Sequence, residues 1–315
     1  MRAMTLFHLM HNRAATALME LCARAGRVLP DVRGRGRMAL ALSSMLMKAG
    51  ANPVVEGRMA SGHRMRLDCR VPSHCWAFFS GRYDDDKIAV LLSLLRPGGI
   101  ALDVGANIGF YTVLLAIRAK AIGSRVVAVE PVASNAEWLR YNLALNGCMG
   151  VAEVLELALG NKLGEAEIVL AEDFLAGGVV GNATIGSRFY GPQFSRATVQ
   201  LDTLDRIWRS KPRIDIIKLD IEGYETDFLE GGRETIAAHR PVLLIEVNPW
   251  HPSALDRGIH SETAIPSLLP ERYFFAEVRS NDIVQIHNLS ECGWIDIMAI
   301  PEERRQEIEF IRRPS

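Results

Sequence analysis

Short, solid apolar runs alternate along this chain with longer stretches of mixed character. "IALDV" (100–104), "RVVAVE" (125–130), "IDIIKLD" (214–220) and "PVLLIEVN" (241–248) contain little polar alternation. Runs of this length predict strands buried on both faces. "FYTVLLAIRAKAIG" (110–123) and "SNAEWLRYNLALNG" (134–147) lie between them and are long enough for helices. Ser134 or Asn135 could cap the second helix, and Gly147 closes it. Strand and helix in regular alternation imply crossover connections and a parallel sheet. "AEVLELALG" and "EAEIVLAE" read as further strands, with a turn at Gly164. The last part, "YFFAEVRSNDIVQIHNLSECGWIDIMAIP", reads as strands joined by turns, an antiparallel edge. Residues 174–195 are glycine-rich and long for a connection, as binding loops often are.

The pattern before residue 100 is different. "HRMRLDC" is strand-like, and a helix is expected from about Asp84 to Leu95, stopped by Pro97-Gly98-Gly99. "LALSSMLMKAG" (40–50) predicts a short helix and "PDVRGRGR" (30–37) a loop. Leu6, Leu9, Met10, Leu18, Leu21 and Cys22 could line one face of a first helix. The organisation expected is an N-terminal extension over 1–80, helical with short strands, a main domain over 81–302, and a C-terminal tail over 303–315.

Composition narrows the class. An apolar fraction of 49% and a charged fraction of 23% are ordinary for a globular protein. The net charge of −1 gives no overall field for nucleic acid or an anionic membrane, so no nucleic-acid partner is expected. The first 50 residues are the exception, with eight Lys or Arg against Glu20 and Asp31. Their arginines interrupt every apolar stretch, so they lack a secretory pattern. They read as a packing extension, a membrane-surface or anionic-partner arm, or a poorly ordered leader. The five cysteines are odd in number and form no C-x-x-C pair, which favours a reducing, cytoplasmic setting. No apolar run reaches the roughly 18 residues of a membrane span.

Chemistry enters at Asp103-Val-Gly105-Ala106-Asn107-Ile-Gly109, a glycine turn between a strand and a helix. Glycine permits tight turning and close approach of a ligand, and the helix start offers free N–H groups. Glu130 ends the next strand, 21 residues after Gly109, where a carboxylate can accept both hydroxyls of a ribose. A dinucleotide fingerprint would need glycine at 107 and 110, which hold Asn107 and Phe110. Asp103 suits a ligand bearing an ammonium group. S-adenosylmethionine has that group, a ribose and no pyrophosphate.

"DVGANIGFYTVLLA", "VVAVEP", "KLDIEGYETDFLEGG" and "LLIEVNP", in this order and spacing, resemble the FkbM-type methyltransferases of class I. The resemblance covers roughly residues 80–300. It implies a Rossmann-like, seven-stranded, mostly parallel α/β sheet with an antiparallel last pair and helices on both faces. It implies S-adenosylmethionine as methyl donor and a hydroxyl acceptor, often on a sugar or glycosylated product. Carried over residue by residue, it makes Asp103, Gly105, Ala106, Asn107, Gly109, Glu130 and Pro131 donor-binding. Tyr83 matches a tyrosine–acid pair, with Asp84 where glutamate is more usual. Lys218, Asp220, Glu222 and Gly223 match the family stretch after the fourth strand.

Methyl transfer to a hydroxyl needs alignment and removal of a proton. Asp220 is the first candidate for base or metal ligand, and Glu222 the second. Glu246 could complete an oxygen set for a magnesium-like ion with Asp220. His251 in "NPWHP" is another possible base, or an ordinary surface-loop histidine. Lys218 could simply pair with a carboxylate. Trp76, Phe78 and Phe79 could stack on substrate or fill the core, and Asn182 and Thr184 could line an acceptor site. Two rival functions stand: nucleic-acid methylation, and a catalytically silent domain that binds donor or partner. Against the first, Asp220-Ile-Glu222-Gly223 replaces the N/D-P-P-Y/F turn common in adenine methyltransferases.

Overall fold

The computed structural model describes residues 12–28, 34–170, 183–185, 194–279 and 282–311. Two helices, α1 (Arg13–Val28) and α2 (Arg35–Lys48), come first, then a hairpin of β1 (Val54–Arg58) and β2 (Arg64–Asp68). Helices α3 (Pro72–Ser80) and α4 (Asp85–Leu94) lead into β3 (Ile100–Val104), α5 (Phe110–Ile122), β4 (Arg125–Val129), α6 (Ala133–Leu145) and β5 (Ala152–Leu155). Four strands follow: β6 (Ala158–Leu159), β7 (Gly164–Leu170), β8 (Ala183–Ile185) and β9 (Ser195–Asp202). Next come α7 (Leu204–Ile207), β10 (Ile214–Leu219), α8 (Glu225–Gly231), α9 (Arg233–His239) and β11 (Val242–Val247). The chain closes with α10 (Pro252–Leu255), α11 (Ser261–Leu268), β12 (Tyr273–Arg279), β13 (Asp282–Ile286), β14 (Ile295–Pro301) and α12 (Arg305–Ile311).

The main sheet has the order β13-β12-β14-β11-β10-β3-β4-β5. Strands β5, β4, β3, β10 and β11 run parallel, while β14, β12 and β13 are antiparallel to their neighbours. The expected seven-stranded, mostly parallel arrangement is therefore present, with β13 added at the antiparallel edge. Every residue of β3, β10 and β11 is buried, which is why these segments read as unbroken apolar runs. A separate sheet of order β6-β9-β7-β8 takes up the strands between β5 and α7. The alternation in "EAEIVLAE" and "RATVQLD" fits its half-exposed faces, but its separation from the main sheet had no local signal.

Several local expectations are revised. Helix α6 starts at Ala133, one residue ahead of Ser134, and Val132 is its N-cap without a side-chain cap. The aromatic lead-in at 72–80 is itself a helix, α3, and it buries Phe78 and Phe79 in the core. Trp76 lies under the Arg35 guanidinium, 5.6 Å from the ring centroid. Helix α2 starts at Arg35, inside the segment expected as a loop. In α1 the inward face is Ala15, Met19 and Ala23, while Leu18 and Leu21 point outward. Leu6, Leu9, Met10 and Asn182 lie outside the described residues.

One apolar cluster runs from Ala15 and Met19 through Phe78 and Val113 to Ile308, so the N-terminal helices share the core of the main sheet. Residues 303–311 are also tied in. Arg304, the largest fully buried side chain, donates to the carbonyls of Asp215 (2.7 Å) and Leu94 (2.8 Å). No helix among the described residues is long and apolar enough to cross a membrane.

Candidate active site

A cleft of about 300 Å³ opens beyond the carboxyl ends of β3, β4 and β10, where open α/β sheets hold their ligands. Its walls include Gly105, Ala106, Asn107, Glu130 and Pro131 from the first two strand ends. Lys218, Asp220 and Glu222 follow from the end of β10, Glu246 from β11, and Tyr83, Phe110 and Trp294 from outside these strands. Strand β10 pairs directly with β3, Lys218 beside Asp103 and Leu219 beside Val104. This pairing brings together two motifs more than 100 residues apart.

The glycine turn is shaped by this closeness. Gly105 has φ +75°, and a Cβ there would sit 1.9 Å from the Asp220 carbonyl oxygen. No side chain fits between the two strand ends. The Glu130 carboxylate pins the loop: Oε2 accepts the Asn107 N–H at 2.8 Å and Oε1 accepts the Val132 N–H at 3.0 Å. Burial pushes the Glu130 carboxyl up to about 7, against the pull of these two amides. The Asn135 side chain also hydrogen-bonds this carboxylate. Gly109, expected in the donor site, is not among the residues of the cleft wall. A Cβ there would meet Leu139 Cδ1 at 2.4 Å.

Asp103 also sits differently from the expectation that it faces an ammonium group. It is fully buried and absent from the cleft lining. Its Oδ2 accepts the Thr112 hydroxyl at 2.5 Å, while Oδ1 accepts no hydrogen bond and lies 3.7 Å from Lys218 Nζ. The cation facing Asp103 is thus the chain's own lysine. Lys218 Nζ also donates to the Gly105 carbonyl at 3.0 Å and lies 3.3 Å from Asp220 Oδ2. Burial alone would lower the lysine's pKa, but Asp220 and Asp103 outweigh it and raise it, so the ammonium stays charged. Lys218 therefore bridges the glycine turn and the carboxylate at the rim.

Asp220 is the accessible member of this group, with its side chain 39% exposed. Glu222 stands at φ +53°, and its Oε2 lies 3.2 Å from His251 Nε2. His251 is a buried residue, contrary to the surface-loop reading. Its Nδ1 accepts the Ser253 N–H at 3.3 Å, and it does not line the cleft. Gly223, at φ +90°, leaves room for that ring, since a Cβ would come within 2.3 Å of Nδ1. Thr184 donates its hydroxyl to the Glu222 carbonyl at 2.7 Å, and so braces the turn.

Glu246 receives the Trp294 indole N–H on Oε1 at 2.6 Å. Burial pushes its carboxyl up to about 9, reinforced by Asp220, Glu222 and Glu225. It therefore carries a proton at neutral pH and can donate it from Oε2. Asp220 and Glu246 were expected as ligands of a divalent ion. Among the described residues, no group of three or more His, Cys, Asp or Glu is arranged to hold one. The donor set does not fit a metal, and no step below uses one.

Three site residues escaped the reading of the sequence. Trp294 stands one residue before β14, in a region where only an antiparallel edge was legible. Glu225 accepts the N–H groups of Ile221 and Gly223, both at 3.1 Å, and closes the turn that carries Glu222. Burial raises it to about 7. His74 lines the cleft from α3, held neutral because burial lowers it to about 4. Its neighbour Phe110 stacks face to face on Tyr83, ring centroids 3.9 Å apart. Asp84 accepts the Tyr111 hydroxyl at 2.9 Å. The "KLDIEGYE" spacing already contained Glu225, while Trp294 and His74 had no local signal.

A second cavity of about 390 Å³ adjoins the cleft and shares Tyr83, Asp220, Glu246 and Trp294 with it. Asp220 and Glu246 thus face two adjoining spaces. One lies against the glycine turn and the other opens outward beside Trp294.

The chain is similar to known proteins. The chain is 26% identical to Methyltransferase sdnD of Sordaria araneosa over 180 residues, 49% of this chain and 67% of that protein. Among solved structures it is similar to methyltransferase FkbM from Methylobacillus flagellatus KT, at 18% identity and a TM-score of 0.41. That match covers 91% of this chain, which spans 58% of the other's length. It is similar also to an O-methyltransferase from Bacillus cereus, solved in complex with SAH, at 15% identity and a TM-score of 0.40, covering 91% and 98% of the two chains. The family model "Methyltransferase FkbM domain" matches residues 103–289, more than half of the chain and the span that builds the glycine turn, Glu130 and the Lys218–Glu225 rim. On that match, the chain belongs to the FkbM methyltransferase domain family.

Proposed function

We propose that this chain is an O-methyltransferase that uses S-adenosylmethionine and methylates a hydroxyl of a sugar, glycan or related small metabolite. One observation carries the reading. The accessible Asp220 carboxylate stands between a glycine-turn cleft and a second cavity, beside a buried lysine that fixes it. Gly105, Ala106, Asn107 and Pro131 would hold the donor, with Glu130 accepting its ribose hydroxyls. Bound there, S-adenosylmethionine supplies a methyl group activated by a positively charged sulfur. The carboxylates of Asp220 and Glu222 favour positive charge in the cleft.

The remaining work falls to the chain's own groups. Asp220 accepts the proton of the acceptor hydroxyl as its oxygen becomes nucleophilic. Lys218 holds Asp220 in place through the contact to Oδ2, and ties it to the donor loop through the Gly105 carbonyl. Glu246, protonated at neutral pH, donates a hydrogen bond toward the acceptor while Trp294 fixes its other oxygen. Tyr83 and Phe110 form an apolar wall that limits water.

Calorimetry with S-adenosylmethionine and its demethylated product tests the donor half. Both should bind the parent protein, and Gly105→Val should abolish binding. No binding to the parent would sink the donor assignment. Radiolabelled methyl transfer to pools of glycans, lipid-linked sugars and RNA tests the acceptor half. Label in the sugar pools supports it, and label in RNA alone would replace the acceptor class.

A further inference from the structure

Thirteen large apolar side chains are exposed among the described residues, and six of them fall on α1 and α2. On α1 the exposed positions Ala14, Leu18, Leu21, Ala25 and Val28 recur every three or four residues. That spacing draws one continuous stripe along a helix. It lies on a different side of α1 from the buried stripe of Ala15, Met19 and Ala23. Helix α2 repeats the arrangement, with Met38, Ala41 and Met45 exposed and Ala39, Ser43 and Leu46 buried. Leu21 is 63% exposed, Val28 84%, Met38 70% and Met45 60%. Isolated exposed apolar residues need no explanation, but aligned stripes on two adjacent helices do.

The charges around the stripes are one-sided. Arg13, Arg24, Arg37 and Lys48 are exposed on the same two helices, and Glu20 is their single acid. Two further arginines are committed inward. Arg27 donates to the Phe78 and Arg58 carbonyls, and Arg35 donates to the Gly26 carbonyl. A second copy of this chain docking stripe to stripe would set these cations against themselves. An anionic bilayer would neutralise them and receive the leucines and methionines below its headgroups.

We propose that α1 and α2 form a docking surface for an anionic lipid membrane. Both helices pack on α3, the helix that supplies Ser73 and His74 to the cleft. Docking by this face holds the cleft one helix away from the bilayer. The inference is independent of the acceptor's identity.

Flotation of the full chain with vesicles tests it, using phosphatidylcholine alone and phosphatidylcholine mixed equally with phosphatidylglycerol. The protein should float with the anionic vesicles and not with the neutral ones, and raised salt should weaken the association. Leu18→Ser with Leu21→Ser should weaken it by about tenfold or more, and Arg24→Glu with Arg37→Glu should do likewise. Circular dichroism and donor calorimetry of both variants should match the parent, since these side chains are exposed. Failure to float, equal flotation with neutral vesicles, or unchanged flotation of either variant would overturn the proposal. So would a homodimer in sedimentation equilibrium that the leucine variant dissociates.

Discussion

Asp215 and Asp220 sit at opposite ends of the same stretch, one near the start of β10 and one just past its end. The side chain of Asp215 is 3% exposed and that of Asp220 is 39% exposed. Asp215 Oδ2 accepts the Arg96 N–H at 3.2 Å, and its carbonyl accepts the buried Arg304 guanidinium at 2.7 Å. A Cβ on Gly99 would collide with its carboxylate at 1.8 Å. Asp215 is thus wedged among its partners. Asp220 has one cationic partner, Lys218, and faces two cavities. The same residue type is a buried structural tie at one end and an accessible carboxylate at the other. What differs is how much of the carboxylate the fold has already used.

Substitution at the open end is expected to have the largest effect. Asp220→Asn should lower turnover by ~10²–10⁴-fold, with donor affinity from calorimetry essentially kept. Near-normal turnover would erase the proposed contrast. At the closed end, Asp215→Asn should leave turnover intact and cost ~1–3 kcal/mol of stability, read from urea midpoints. A loss of activity without loss of stability would show that the closed end also takes part in the chemistry.

The smallest expected effect belongs to Glu246→Gln. A glutamine still donates a hydrogen bond, so turnover at neutral pH should change by less than about tenfold. The pH dependence of stability sharpens the point. Glu246 is held at about 9 in the fold, above an ordinary value of about 4.3. The folded protein therefore binds this proton more tightly than the unfolded chain. That contribution is full below the unfolded value and is lost as pH rises through the folded value. Urea midpoints of the Gln variant should therefore fall less steeply than those of the parent as pH rises from about 4.3 to about 9. Parallel profiles would mean that Glu246 does not hold its proton.

Much of this was legible because buried parallel strands write themselves as unbroken apolar runs. β3, β4, β10 and β11 were each visible in that way, and so was the turn from Asp103 to Gly109. The strand-end carboxylates were legible too, since Asp220 and Glu222 interrupt an otherwise sealed segment. The orientation of each side chain was not. Asp103 was expected to face a ligand and faces Lys218 from behind the cleft. His251 was read as a surface residue and is buried against Glu222. The apolar face expected on the first helix points outward at Leu18 and Leu21, because Met19 lies between them and takes the core.

The sequence by itself determined the alternation of strands and helices, the glycine turn, and the carboxylates beyond the sheet. These follow from local spacing, which fixes element type and the sites where a backbone can approach a ligand. Only the tertiary structure decided which charges are already spent. Lys218 meets Asp103 through the pairing of β3 with β10, and Trp294 reaches Glu246 across 48 residues of chain. Burial and the neighbours of a carboxyl set its protonation, and both come from strand pairings that no local pattern encodes. For that reason Asp215 and Asp220 look alike in the sequence and differ in the fold.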